Sequence, residues 1–196
     1  MKLYRNITFA MKPSATHSIG HAALLRGINV GGNNIVPMKA LADIFARAGA
    51  ENVRTYIQSG NVLFEARPGA ADRIARAVGA EIEKRFGFAV PVLVRTADEL
   101  RLISINNPFF GKGAPDDRLY VMFLADTPDP ALVQALDSNR SPQDKFAVRG
   151  RDIYLSLPSG VARTKLTNAY FDSKLKTVST MRNWRTTLKL LELMGG

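Results

Sequence analysis

Two groups of residues have types and spacings that could do chemistry. The first is the run Arg26-Gly27-Ile28-Asn29-Val30-Gly31-Gly32-Asn33-Asn34, which crowds glycines and amides just ahead of a helical pattern beginning at Pro37. Glycine reaches φ > 0 and admits close backbone approach, amide side chains donate and accept, and free N–H groups at a helix start favour an anion. The second group is Arg163, Lys165, Arg182, Asn183, Trp184 and Arg185. A guanidinium can grip phosphate through two parallel hydrogen bonds, and an indole can stack on a base or sugar. Each group also has a plainer reading: loop amides bond their own backbone, a lone Trp anchors a core, and surface arginines are solvated.

Positioning these residues falls to the elements around them. The apolar run 21–28 predicts a strand buried on both faces. Pro37, the stripe Met38, Leu41, Ile44, Phe45 and Ala48, and Gly49 predict a helix with its start and stop. Runs 52–58 and 61–66 flank Ser59-Gly60, a two-residue hairpin signal, and a helix over 70–86 leads to a strand over 90–95. The order β-α-β-β-α-β over 21–97 predicts a ferredoxin-like module, whose first and third strands are central neighbours. Chain direction then gathers the 27–36 loop, the 58–61 turn and Gly87-Phe88 at one end, so Arg26 and Asn29 should approach Gln58, Ser59 and Asn61.

Beyond a linker at 98–117, with a short helix opened by the capping box Thr96/Glu99, the order partly repeats. A strand at 118–125, a helix from Thr127-Pro128 through Leu136, and strands 145–149 and 152–157 around Gly150-Arg151 precede two helices, near 164–175 and 184–194. The expected fold is α+β: two sheet-and-helix modules, the second a βαββ unit over 118–196 ending in two helices, with Asn183 as a cap. No internal sequence repeat is visible. Residues 1–20 are expected to be a disordered extension, with Met11 a second candidate start.

Composition narrows the function classes. Lys plus Arg outnumber Asp plus Glu 27 to 17, a formal charge of +10, which favours acidic partners. No run approaches the ~20 apolar residues of a membrane span. The absence of cysteine removes disulfides and thiol chemistry and suits a reducing compartment, so a cytoplasmic protein without a membrane partner is expected. For catalysis the inventory is thin. The two histidines, His17 and His21, sit near the predicted disordered end, no metal set is apparent, and no carboxylate pair stands out.

The segments ALLRGINVGGNN (23–34), VPM (36–38) and VRTYIQSGNVLF (53–64) closely resemble a bacterial family, domain of unknown function 1697. Further matches are VPVLVRTADEL, NPF at 107–109, FAVRGRDIYL at 146–155, RTKLTN at 163–168 and RNW at 182–184. The resemblance implies a two-part α+β fold with a ferredoxin-like first half and no established activity or cofactor. Its signature positions are Arg26, Gly27, Asn29, Gly31, Gly32, Arg54, Tyr56, Gln58, Ser59, Gly60, Asn61, Lys165, Leu166, Asn168, Arg182, Asn183 and Trp184. The chain departs from the family pattern at Thr164, where Ser is usual, and at Arg185-Thr186-Thr187 after the tryptophan.

The expected function is binding of an anionic ligand, phosphate-bearing, nucleotide or nucleic acid. Its expected residues are Arg26, Asn29, Gly31, Gly32, Asn33, Gln58, Ser59, Asn61, Lys165, Arg182, Asn183 and Trp184. The RNA-recognition version lacks the aromatic strand pattern it would need. Two alternatives stay open: an enzyme acting on a phosphorylated or carboxylated small molecule between the modules, and a protein interaction module.

Overall fold

The computed structural model describes residues 18–113 and 115–195. The expected extension up to residue 17, with Met11 and His17, lies outside the described residues. The first half runs β1 (Ile19–Leu25), α1 (Met38–Arg47), β2 (Glu51–Tyr56), β3 (Asn61–Ala66), α2 (Ala71–Phe86), β4 (Val92–Thr96) and α3 (Ala97–Ile105). Its sheet is antiparallel with order β2-β3-β1-β4, the connectivity of a split βαβ unit. The second half runs β5 (Leu119–Leu124), α4 (Pro130–Gln134), β6 (Lys145–Arg149), β7 (Asp152–Ser156), α5 (Asn168–Leu175), β8 (Ser179–Asn183) and α6 (Trp184–Leu193), with sheet order β6-β7-β5-β8.

Each apolar run has two faces to bury, and three cores receive them. Leu41, Ile44 and Phe45 of α1 and Ile74, Val78 and Ile82 of α2 cover Ala23, Leu25, Val62 and Phe64 on the outer face of the first sheet. Phe171 and Leu175 of α5 cover Met122, Leu124, Ile153 and Leu155 on the second. The inner faces meet each other: Ala22, Leu24, Leu63 and Leu93 pack with Val121, Phe123 and Tyr154, joined by Leu100 and Ile103 of α3 and Leu190 and Leu191 of α6. Burying each such large side chain contributes about 1.5–3 kcal/mol. Sheet burial on both faces explains why the β1 and β3 sequences are apolar without alternation.

The expectation of two closing helices needs one correction. The chain between them is not a connection but a fourth strand, β8, paired with β5 from Leu124↔Ser179 to Tyr120↔Asn183. Its sequence, STMRN, hides this because four of five side chains are polar, yet Ser179, Thr180 and Arg182 are buried. As a result α5 starts at Asn168, capped by Thr167, rather than near 164. The first strand likewise begins at Ile19, two positions before the apolar run.

With β8 in place the halves share one order, βαββαβα, and one register. Leu25 pairs with Val92 as Leu124 pairs with Ser179. Leu25 N–H donates to Gly60 O (2.8 Å) as Leu124 N–H donates to Arg151 O (2.8 Å), and Arg26 N–H to Pro91 O (3.0 Å) as Ala125 N–H to Val178 O (2.8 Å). Gly60 thus corresponds to Arg151, Asn61 to Asp152, Arg26 to Ala125, and Arg95 to Arg182.

Candidate functional site

At one pole of the first half, the 27–36 loop and the turn before β3 come together. Asn29 joins them. Its Oδ1 accepts from Val36 N–H (2.8 Å), while its Nδ2 donates to Val36 O and Gln58 O, each at 3.0 Å. Asn34 Nδ2 donates to Gly27 O (3.1 Å) and Asn33 Nδ2 to Gly31 O (3.3 Å). These amides hold the loop's own shape, as the plainer reading had it. Asn61 Nδ2 similarly serves Tyr56 O and Ser59 Oγ, both at 3.2 Å.

What the loop offers outward is backbone. Gly27, Asn29, Gly31, Gly32 and Asn34 all have positive φ, and so does Ile57 in the adjoining turn, at 48°. Among the described residues the Gly31 and Gly32 N–H groups have no partner within the chain. The N-cap of α1, Pro37, makes no side-chain cap, so the first N–H groups of that helix are also open. Val30, Ile35 and Ile57 stand at least half exposed around them. No acid occurs from Gly20 to Ala42 or from Asn52 to Phe64.

Arg182 reaches this pole from the other half, but from beneath. It is 8% exposed. Nε donates to Asn61 Oδ1 (2.6 Å), Nη1 to Thr180 Oγ1 (2.8 Å) and Met181 O (2.9 Å), and Nη2 to Leu25 O (2.8 Å) and Gly60 O (3.0 Å). All five N–H groups are taken, and among the described residues no carboxylate pairs with it. Burial alone pushes its pKa down to about 10. Beside it Arg26 pairs with Asp172 of α5, whose Oδ1 accepts from Ser179 Oγ (2.6 Å).

Of the other residues expected at the site, Gln58 and Ser59 sit in the 57–61 turn of this pole, whereas Trp184, Asn183 and Lys165 make their contacts elsewhere. Trp184 is fully buried in the shared core, 5.6 Å from the Phe110 ring, and has no open face on which a base could stack. Among the described residues its Nε1 has no partner. Asn183 caps α6 by accepting from Arg185 N–H (2.9 Å) and donates to Asp117 O (3.3 Å). Lys165 is exposed, with its N–H 3.5 Å from Ser141 Oγ. Gln58 is exposed and Ser59 half-buried beside Asn61. Among the described residues no group of three His, Asp or Glu could hold a metal ion, and no helix is long and apolar enough to cross a membrane.

Sequence reasoning passed over the matching cluster at the second pole. Arg95 of β4, 1% exposed, donates through Nη2 to Leu124 O (2.9 Å), Arg151 O (2.8 Å) and Asp152 Oδ1 (3.1 Å). Arg151 in turn pairs with Glu99, whose other oxygen closes the α3 capping box. Burial pushes the Asp152 carboxyl above its ordinary pKa, and Arg95 pulls it part of the way back. A buried carboxyl of raised pKa among arginines is what an enzyme in the cleft would need. Its counterpart, however, is Asn61, an amide that accepts from Arg182 in the same way, so the position serves the fold with or without charge. The signal available in sequence was an arginine directly after the apolar run VLV of β4.

Comparison with known proteins came to the same family. The model described as "Protein of unknown function (DUF1697)" matches residues 20–154. Among solved structures, the conserved bacterial protein SP0830 from Streptococcus pneumoniae is similar in fold, with a TM-score of 0.67 at 20% sequence identity, covering 91% of this chain and 99% of that one. No curated protein matches.

Proposed function

Since the chain belongs to the DUF1697 family, described only as proteins of unknown function, its role must be read from its own residues, and we propose that it binds a phosphate-bearing small molecule at the pole formed by the 27–36 loop and the 57–61 turn. The observation that carries this reading is the concentration of unusual backbone there. Three of the five non-glycine residues with positive φ, Asn29, Asn34 and Ile57, lie at this pole beside Gly27, Gly31, Gly32 and Gly60. Such backbone costs about 1–3 kcal/mol per strained residue and gathers at ligand sites. Here it turns unpaired N–H groups outward in an acid-free surface, next to an uncapped helix start, which favours an anion.

A small molecule fits better than a nucleic-acid strand. The exposed apolar side chains of the pole are aliphatic, Val30, Ile35 and Ile57, and none of its exposed residues is aromatic, so stacking platforms for successive bases are lacking among the described residues. The test is an amide-resolved NMR titration with inorganic phosphate, a nucleoside monophosphate and a short single-stranded DNA. Saturable shifts at Gly31, Gly32 and Lys39, an exposed residue in the uncapped first turn of α1, are expected with the first two, weakened by added salt and by Lys39→Glu. If these amides stay still with every anion at low salt, the reading fails.

A further inference from the structure

The internal correspondence of the two halves singles out a second concave surface, independent of the first. At the first pole, the space between β8, α5 and the end of β1 is filled by the Arg26–Asp172 ion pair, with Ser179 bonded to the same carboxylate. At the second pole, the equivalent space lies between β4, α2 and the end of β5. There Arg26 is replaced by Ala125 and Ser179 by Val92, and among the described residues no ion pair takes the place of Arg26–Asp172. A pocket of about 400 Å³ remains, lined by Val92, Ala125, Arg76, Asp72, Asp126 and Arg151 among others.

The charges around this pocket are of both signs, and three of them have no charged partner among the described residues. Arg95 and Arg151 have Asp152 and Glu99 as partners. Among the described residues, Arg76, Asp72 and Asp126 make no salt bridge at all, and all three are exposed at the rim. Asp126 is held in place by its loop: its N–H donates to Thr177 Oγ1 (3.2 Å) and its Oδ2 accepts from the same hydroxyl (3.1 Å). Open charges of opposite sign facing one concave space, with an apolar strand as floor, suit a ligand that carries both signs itself.

We infer that this pocket binds a small zwitterion of the amino-acid type, its carboxylate against Arg76 and its cationic group against Asp72 and Asp126. The bound molecule would supply the pair of charges that Arg26 and Asp172 supply at the other pole. A purely anionic ligand would meet both aspartates, and a purely cationic one the arginines.

The experiment uses the full chain, with L-arginine, acetate and methylammonium as probes, followed by amide NMR. L-arginine is expected to give saturable shifts at Arg76, Ala125 and Asp126 that neither acetate nor methylammonium reproduces at equal concentration. Arg76→Ala and Asp126→Asn each weaken binding about tenfold, the loss of one charge-assisted hydrogen bond. Ala125→Arg, which restores the side chain found at the other pole, folds normally and abolishes the response. Absence of saturable shifts with L-arginine overturns the inference, as does an undiminished response in Ala125→Arg or equal binding of acetate. None of these outcomes depends on phosphate at the first pole, because the Gly31 and Gly32 amides report that site separately.

Discussion

His21 opens the buried part of β1, its ring stacked on Phe64 at 5.3 Å and its Nδ1 2.6 Å from Ile19 O. Burial holds its pKa below the ordinary 6.5, although the Ile19 carbonyl and the charges of Glu99 and Asp72 partly oppose this. A base whose folded pKa is depressed is protonated first in the unfolded chain. Stability is therefore full above about pH 6.5 and declines as pH falls below it. The thermal midpoint is expected to drop between about pH 7.5 and about pH 5, and to drop less in His21→Phe. Equal slopes in the two proteins would show that the imidazole is not the cause. At this scale sequence is only half legible. It marked Asn29, Asn61 and Arg182 as special, but residue type does not say whether a polar group faces a ligand or its own backbone. Burial decides that, and burial is a property of the partner half.

Among the elements, the turn before β3 is the most tightly specified. Gly60 has φ of 74°, and a Cβ there would lie 2.9 Å from Leu25 Cβ and Ile28 Cγ1 and 3.1 Å from Leu25 O. Backbone and buried neighbours cannot yield cheaply, so Gly60→Ala is expected to cost about 2–4 kcal/mol in urea denaturation. Ile57, in the same turn, is a half-exposed β-branched residue at positive φ. Asn tolerates that conformation, so Ile57→Asn is expected to raise stability by about 0.5–1 kcal/mol. Matching signs for the two substitutions would contradict this account. Strands, helices and the hairpin were legible where apolar periodicity or an unbroken apolar run marked them, the first in α1 and α2, the second in β1 and β3. Strand β8 was not, because its inward side chains are Ser, Thr and Arg, and their burial is compensated by hydrogen bonds that no one-dimensional pattern reveals.

For the whole molecule, the decisive contacts are the two reciprocal arginines. Arg182 of β8 binds the end of β1 and the start of β3, and Arg95 of β4 binds the end of β5 and the start of β7. Each guanidinium is buried, so truncation leaves carbonyls and a carboxylate or amide unpaired in a dry interface. Arg95→Ala and Arg182→Ala are each expected to destabilise by about 3–5 kcal/mol. Because each half is closed by the other, both variants should still unfold in one cooperative transition; a two-step melt, one half surviving the other, would refute that reciprocity. The two-module plan was legible from element order, whereas the correspondence between halves was not, since it resides in register and backbone hydrogen bonds.

The placing of Arg182 so far after the hairpin it latches has a consequence for biosynthesis. The hairpin between β2 and β3 leaves the ribosome early, yet its turn stays unlatched until β8 emerges more than a hundred residues later. The leading part of the nascent polypeptide must wait, partly assembled, for the trailing part.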